Sequence, residues 1–224
     1  MIKAAFGQDF DQVVRRVFPF VARIRVHPDV LTLLGVGVSG LAALAFAFHQ
    51  DLAGGVVLIL AGFFDLIDGV VARIQGVSTR AGAFLDSSMD RVADLLVFAG
   101  IAVGMASRPA EAGGADIGGL VLVMAALIGS VMTSYTRARA EAELHESFGV
   151  GFVERGERTV VLILGALTGY LVAALWLVAI GSIATTVQRV VVARRLLLER
   201  EPPGSQASDA LPGAAEAGEW EDVG

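Results

Sequence analysis

Apolar residues run along this chain in blocks long enough to cross a bilayer. A spanning helix needs about 20 predominantly apolar residues, and such blocks occur at about 30–48 (VLTLLGVGVSGLAALAFAF), 53–74, 82–106 and 117–138. A further stretch, 158–198, is too long for one helix and divides near LTGY (167–170) into a short fifth span and a longer sixth. The pattern predicts an all-α integral membrane protein whose six transmembrane helices fill residues 29–200. Ahead of them, Phe10, Val13, Val14, Val17, Val21 and Ile24 recur at helical spacing, with Arg15, Arg16 and Arg23 largely off that stripe. Residues 1–28 therefore read as a juxtamembrane segment with an amphipathic helix lying on the inner leaflet. Pro19 in its middle is the residue that argues against it.

Composition agrees: 55% of residues are hydrophobic and the mean hydropathy is +0.69. There is no cysteine, which excludes disulfides, thiolate metal ligands and cysteine nucleophiles. The opening MIKAAFGQDFDQVVRR has no apolar core of a cleaved signal peptide. The net charge of −6 is concentrated in residues 201–224, which carry six acids and no base. That tail, rich in Pro, Gly, Ala and Ser, is expected to be disordered. Of the 17 Lys and Arg, all but Arg108 fall in segments that share one side of the membrane. The positive-inside rule then predicts cytoplasmic termini and cytoplasmic loops near 75–81 and 139–157 of a multi-pass plasma-membrane protein. No internal repeat suggests an inverted-repeat transporter, and no nucleic-acid partner is expected.

The candidate chemistry lies inside the apolar blocks. From Asp65 to Asp90 the chain reads D-x2-D-G-x2-A-R-x8-G-x3-D-x3-D, with Asp65, Asp68, Gly69, Ala72, Arg73, Gly82, Asp86 and Asp90 at the fixed positions. A carboxylate in hydrocarbon costs roughly 2.5–3.5 kcal/mol, so four in one place mark a functional site. Gly82, Asp86 and Asp90 step by four along one helix face, and Asp65, Asp68 and Gly69 share a face of the preceding helix. If the two helices are antiparallel neighbours, the four carboxylates converge, and they cannot all stay ionised without a cation. Oxygen ligands without His or Cys point to Mg²⁺, Mn²⁺ or Ca²⁺. Such ions beside an arginine suit a pyrophosphate-bearing substrate. Gly69 and Gly82 leave room for a ligand at the backbone.

These eight residues, at these spacings, resemble the signature of the CDP-alcohol phosphotransferases, with no position missing. The resemblance implies six transmembrane helices in a homodimer and two Mg²⁺ or Mn²⁺ ions per site. It implies that Asp65, Asp68, Asp86 and Asp90 bind the metals and that Asp90 is also the general base on the acceptor hydroxyl. Gly69, Ala72, Arg73 and Gly82 would hold the CDP moiety, joined by Asp29 and Thr32 of the element HPDVLTLLG. Asp94 continues the face of Asp86 and Asp90 but lies outside the signature, where pairing with an arginine is the expected role.

The acceptor is set elsewhere. HPDVLTLLG, SYTRARAEAE, GFVERGERTVV and TTVQRVVV resemble segments of the phosphatidylinositol phosphate synthases, with His27 and Arg137 as departures from the usual residues. Arg137, Arg155 and Arg189, with Ser134 one turn before Arg137, would then bind the acceptor's phosphate. Arg158 lies in the same group of elements. The simpler account of these arginines is the positive-inside rule. The reading is transfer of the phosphatidyl group from CDP-diacylglycerol, drawn from the membrane lipids, to inositol phosphate with release of CMP. The nearest rival is a sibling acting on glycerol 3-phosphate, a phosphatidylglycerol phosphate synthase. Rivals of other classes are an intramembrane prenyltransferase, expected to carry two distant Asp motifs, and a divalent-cation transporter, expected to carry polar residues through several helices.

Overall fold

A computed structural model describes residues 26–107 and 115–200. Six helices follow one another: α1 Pro28–Ala47, α2 Asp51–Gln75, α3 Arg80–Ala106, α4 Ile117–Leu144, α5 Arg155–Thr168 and α6 Leu171–Arg200. The expected interfacial helix and the acidic tail fall on residues outside the described ones.

Local chemistry sets the helix ends. His27 caps α1 by accepting a hydrogen bond from the Asp29 N–H, and Pro28 occupies the first turn, where its missing N–H has no helical partner. Gly76, at φ 66°, ends α2 in the left-handed conformation that glycine adopts without steric cost. Thr79 caps α3 by accepting from the Gly82 N–H at 3.0 Å. The break between α5 and α6 falls at Gly169 and Tyr170, inside the predicted LTGY.

α1, α2, α4 and α6 are long and apolar enough to cross a membrane. α3 has the length, at 27 residues, but carries Arg80, Asp86, Asp90, Arg91 and Asp94 between its start and just past its middle. α5 has 14 residues, about 21 Å at 1.5 Å per residue, short of a ~30 Å hydrocarbon layer. Outward-facing large apolar side chains, among them Leu33, Leu41, Val121, Leu164 and Ile180, suit a lipid surface.

The main core joins all six helices through Phe46, Leu58, Phe98, Ile101, Val123, Leu162, Leu175 and Val178. A smaller cluster, Leu31, Ile67, Val70 and Val71, locks α1 to α2 beside the aspartates. One arrangement differs from the simplest expectation. α2 and α3 do not pack along each other; α1 packs against both. Glycine makes this possible on α3. A Cβ at Gly100 would meet the Ala43 carbonyl oxygen at 2.2 Å, and one at Gly104 would meet that of Phe46 at 2.5 Å. Gly100-x3-Gly104 is thus a small-residue strip on which α1 lies backbone to backbone.

Candidate active site

The helix periodicity delivers the predicted stripe. Asp86, Asp90 and Asp94 follow at four-residue steps on α3, and Asp65 and Asp68 lie on α2. One carboxylate oxygen each from Asp65, Asp86 and Asp90 falls within 4.8 Å of the other two. Asp68 is 4% exposed and accepts a hydrogen bond from Thr32 Oγ1 at 2.6 Å. α1 therefore anchors the fourth carboxylate while α2 and α3 present the other three.

Arg155, the first residue of α5, enters this cluster. Its Nη1 lies 3.0 Å from Asp65 Oδ1 and 2.7 Å from Asp90 Oδ1, and its Nε lies 3.2 Å from Asp94 Oδ1. Asp94 also accepts from Ser130 Oγ at 3.0 Å and faces Arg158 Nη2 at 3.8 Å. The short α5 brings Arg155 to the depth of the aspartates, and a Glu154–Glu157 capping box fixes where that helix starts.

The donor set fits a hard divalent cation. Three convergent carboxylates repel one another, two of them, Asp65 and Asp90, already share a positive group, and all their ligand atoms are oxygens. Asp65, Asp86 and Asp90 are the residues positioned to hold an ion, with Asp68 beside them on α2.

The residues predicted for CDP lie on α1, α2 and the start of α3. A Cβ on Gly82 would lie 3.7 Å from Asp29 Oδ1, so the two are neighbours across α1 and α3. The Arg73 guanidinium folds back over Gly69, 3.5 Å from where a Cβ would stand. Ala72 is half-buried one turn beyond Asp68.

The predicted acceptor residues do not all gather. Arg155 sits among the aspartates. Arg189 is 2% exposed, and its Nε donates to the Val150 carbonyl at 2.6 Å while its Nη1 donates to that of Thr133. Arg137 pairs with Glu141 at 3.0 Å. Ser134 is half-buried on α4 next to Thr133. Sequence reasoning did not find Ser130, Thr133 and Thr185 as supports of the site. Thr185 Oγ1 accepts from the Val153 N–H at 3.1 Å and, with Arg189, fastens the α4–α5 loop onto α6. No local spacing announces such contacts between positions more than 30 residues apart.

The family model for CDP-alcohol phosphatidyltransferase matches residues 25–188. The chain belongs to this family. Among the relatives of this CDP-alcohol phosphatidyltransferase, the phosphatidylinositol phosphate synthase of Streptomyces avermitilis is 37% identical over 224 residues, covering 93% of this chain and 88% of the relative. The archaetidylinositol phosphate synthase of Pyrococcus horikoshii is 33% identical over 189 residues, covering 83% and 93%. Among solved structures, the phosphatidylinositol phosphate synthase of Mycobacterium tuberculosis with CDP-DAG bound superposes with a TM-score of 0.68 at 32% identity, over 83% of this chain and 92% of that one. The same enzyme has been solved in complex with manganese and citrate, with a TM-score of 0.69.

Proposed function

We propose that this family member transfers the phosphatidyl group from CDP-diacylglycerol to an inositol phosphate, giving phosphatidylinositol phosphate and CMP. The observation that carries the reading is the convergence of Asp65, Asp86 and Asp90, residues of the family signature, within 4.8 Å. The names of the relatives support the choice of acceptor, and the CDP-DAG held by the similar mycobacterial enzyme supports the choice of donor.

Asp90 takes the proton of the acceptor hydroxyl, whose oxygen attacks the lipid-side phosphorus. The new P–O bond forms as the bond to the bridging pyrophosphate oxygen breaks, and CMP leaves. Two divalent ions, Mg²⁺ or Mn²⁺, bound by Asp65, Asp68, Asp86 and Asp90, would supply charge neutralisation of the pyrophosphate and of the departing phosphate. Thr32 holds Asp68 in place, and Asp29, Gly69, Ala72, Arg73 and Gly82 line the position of CDP. Arg137 and Arg189, in the second halves of α4 and α6, would contribute positive charge toward the phosphate of the acceptor. Ser134 adds a hydroxyl on the same helix, and Arg155 the guanidinium nearest the aspartates.

In this reading all six helices lie in the plasma membrane of a homodimer with both termini cytoplasmic, and the acyl chains stay in the bilayer. The alternative is a sibling acting on glycerol 3-phosphate. The test is CMP release by purified protein offered CDP-diacylglycerol and a panel of acceptors. Inositol phosphate should be preferred; preference for glycerol 3-phosphate would overturn the acceptor and leave the transferase chemistry standing.

A further inference from the structure

One guanidinium stands where the carboxylates call for a cation. Arg155 Nη1 is within 3.0 Å of Asp65 Oδ1 and 2.7 Å of Asp90 Oδ1, and both residues belong to the converging group of three. A divalent ion lies about 2.0–2.6 Å from its oxygen ligands. An ion bridging Asp65 and Asp90 through these Oδ1 atoms would take the position of Nη1, and the two positive charges would repel. The two cannot occupy the place together. The rest of the guanidinium is attached elsewhere, because Nε is held by Asp94, itself fixed by Ser130. The planar fork of arginine allows these separate attachments, whereas the single ammonium of a lysine does not.

We propose that Arg155 is the internal counter-cation of the site. It neutralises Asp65 and Asp90 until a divalent ion replaces it there, and the Asp94 contact keeps the displaced guanidinium at the site's edge. The inference rests on the reading of Asp65, Asp86 and Asp90 as metal ligands. One consequence follows for the order of events: metal loading frees Nη1 to meet the phosphate of an anionic acceptor, so the acceptor's binding group becomes available after the metal is in place.

The test measures Mn²⁺ binding to the full-length, detergent-solubilised protein without substrates, following free Mn²⁺ by electron paramagnetic resonance. Arg155→Gln should tighten Mn²⁺ binding about tenfold or more, because the competitor is gone. Arg158→Gln removes the same charge one turn further along α5, where the guanidinium faces Asp94 and donates to the Val153 carbonyl, and should change binding by less than about threefold. Thermal denaturation supplies the second measurement. Arg155→Gln should be far less stable than wild type in chelator, and Mn²⁺ should raise its Tm by more than it raises that of wild type. Unchanged Mn²⁺ affinity in Arg155→Gln, or equal tightening in the two variants, would overturn the proposal, the latter by showing a diffuse field without direct competition. Should Arg155→Gln fail to fold even with Mn²⁺, Arg155→Lys takes its place, and its affinity must also exceed that of wild type. Asp86→Asn separates this inference from the reading beneath it. If wild type and Asp86→Asn bind Mn²⁺ equally, the metal assignment itself fails.

Discussion

Thr32 Oγ1 donates a 2.6 Å hydrogen bond to Asp68 Oδ2, joining the first turns of α1 to the buried carboxylate of α2. A hydrogen bond to a charged group is worth about 1.5–3 kcal/mol. Thr32→Val keeps the shape and removes the donor, so it should lose about that much stability and lower turnover, while Thr32→Ser retains most of both. Thermal denaturation and CMP release on the two variants check this.

The α1–α3 contact predicts a second, purely steric effect. Gly100 lies under the Ala43 carbonyl, where a Cβ would be only 2.2 Å away. Gly100→Ala should push α1 off α3 and cost about 1–3 kcal/mol or more. Because α1 carries Asp29 and Thr32, CDP-lipid binding should weaken with stability. Gly37→Ala, whose added Cβ meets nothing within 4 Å, is the control and should behave as wild type in both assays.

Much of this arrangement was legible along the chain. Pro28, Gly76 and Thr79 mark helix ends by backbone chemistry that acts locally, and the four-residue step of Asp86, Asp90 and Asp94 fixes a common face whatever the tertiary packing. The break at Gly169 was readable because a 40-residue apolar run exceeds one span. What could not be read depends on which helix lies beside which. The spacing implied that α2 and α3 pack together, but α1 lies between them on Gly100 and Gly104. Glycines are frequent in membrane helices, so that pair did not identify its partner. Along the chain, position and the resemblance of GFVERGERTVV group Arg155 with the other loop arginines. Its place beside Asp65 and Asp90 depends on the tertiary position of α5, whose preceding loop Arg189 and Thr185 fasten to α6.

The aspartates should separate by role. Asp86→Asn removes a ligand from the converging three and should abolish turnover at any Mg²⁺ or Mn²⁺ concentration. Asp90→Asn should still bind CDP-lipid but lose turnover by about 10²–10⁴-fold, the usual contribution of a general base. Equilibrium binding of CDP-diacylglycerol beside single-turnover rates distinguishes them. Equal loss of lipid binding in both would make Asp90 chiefly a ligand.

Arg137 carries the prediction about acceptor affinity. Its Nε pairs with Glu141 at 42% exposure, so its truncation leaves the core intact. If it meets the acceptor's phosphate, Arg137→Ala should raise the KM for inositol phosphate about 10- to 100-fold, the equivalent of one charge-assisted hydrogen bond. The KM for CDP-diacylglycerol should change little, because the residues proposed to bind that substrate are on α1, α2 and α3. Parallel rises in both would show that Arg137 acts through folding.

The central claim is the transfer itself, and the direct measurement is the lipid product made by purified protein from CDP-diacylglycerol. With a divalent ion and inositol phosphate, phosphatidylinositol phosphate and CMP should appear in equal amounts, and chelator should stop both. Free inositol should be a poor acceptor because it leaves the arginines without a phosphate. Absence of CMP with every alcohol acceptor in the presence of Mg²⁺ or Mn²⁺, or undiminished release in chelator, would contradict the account.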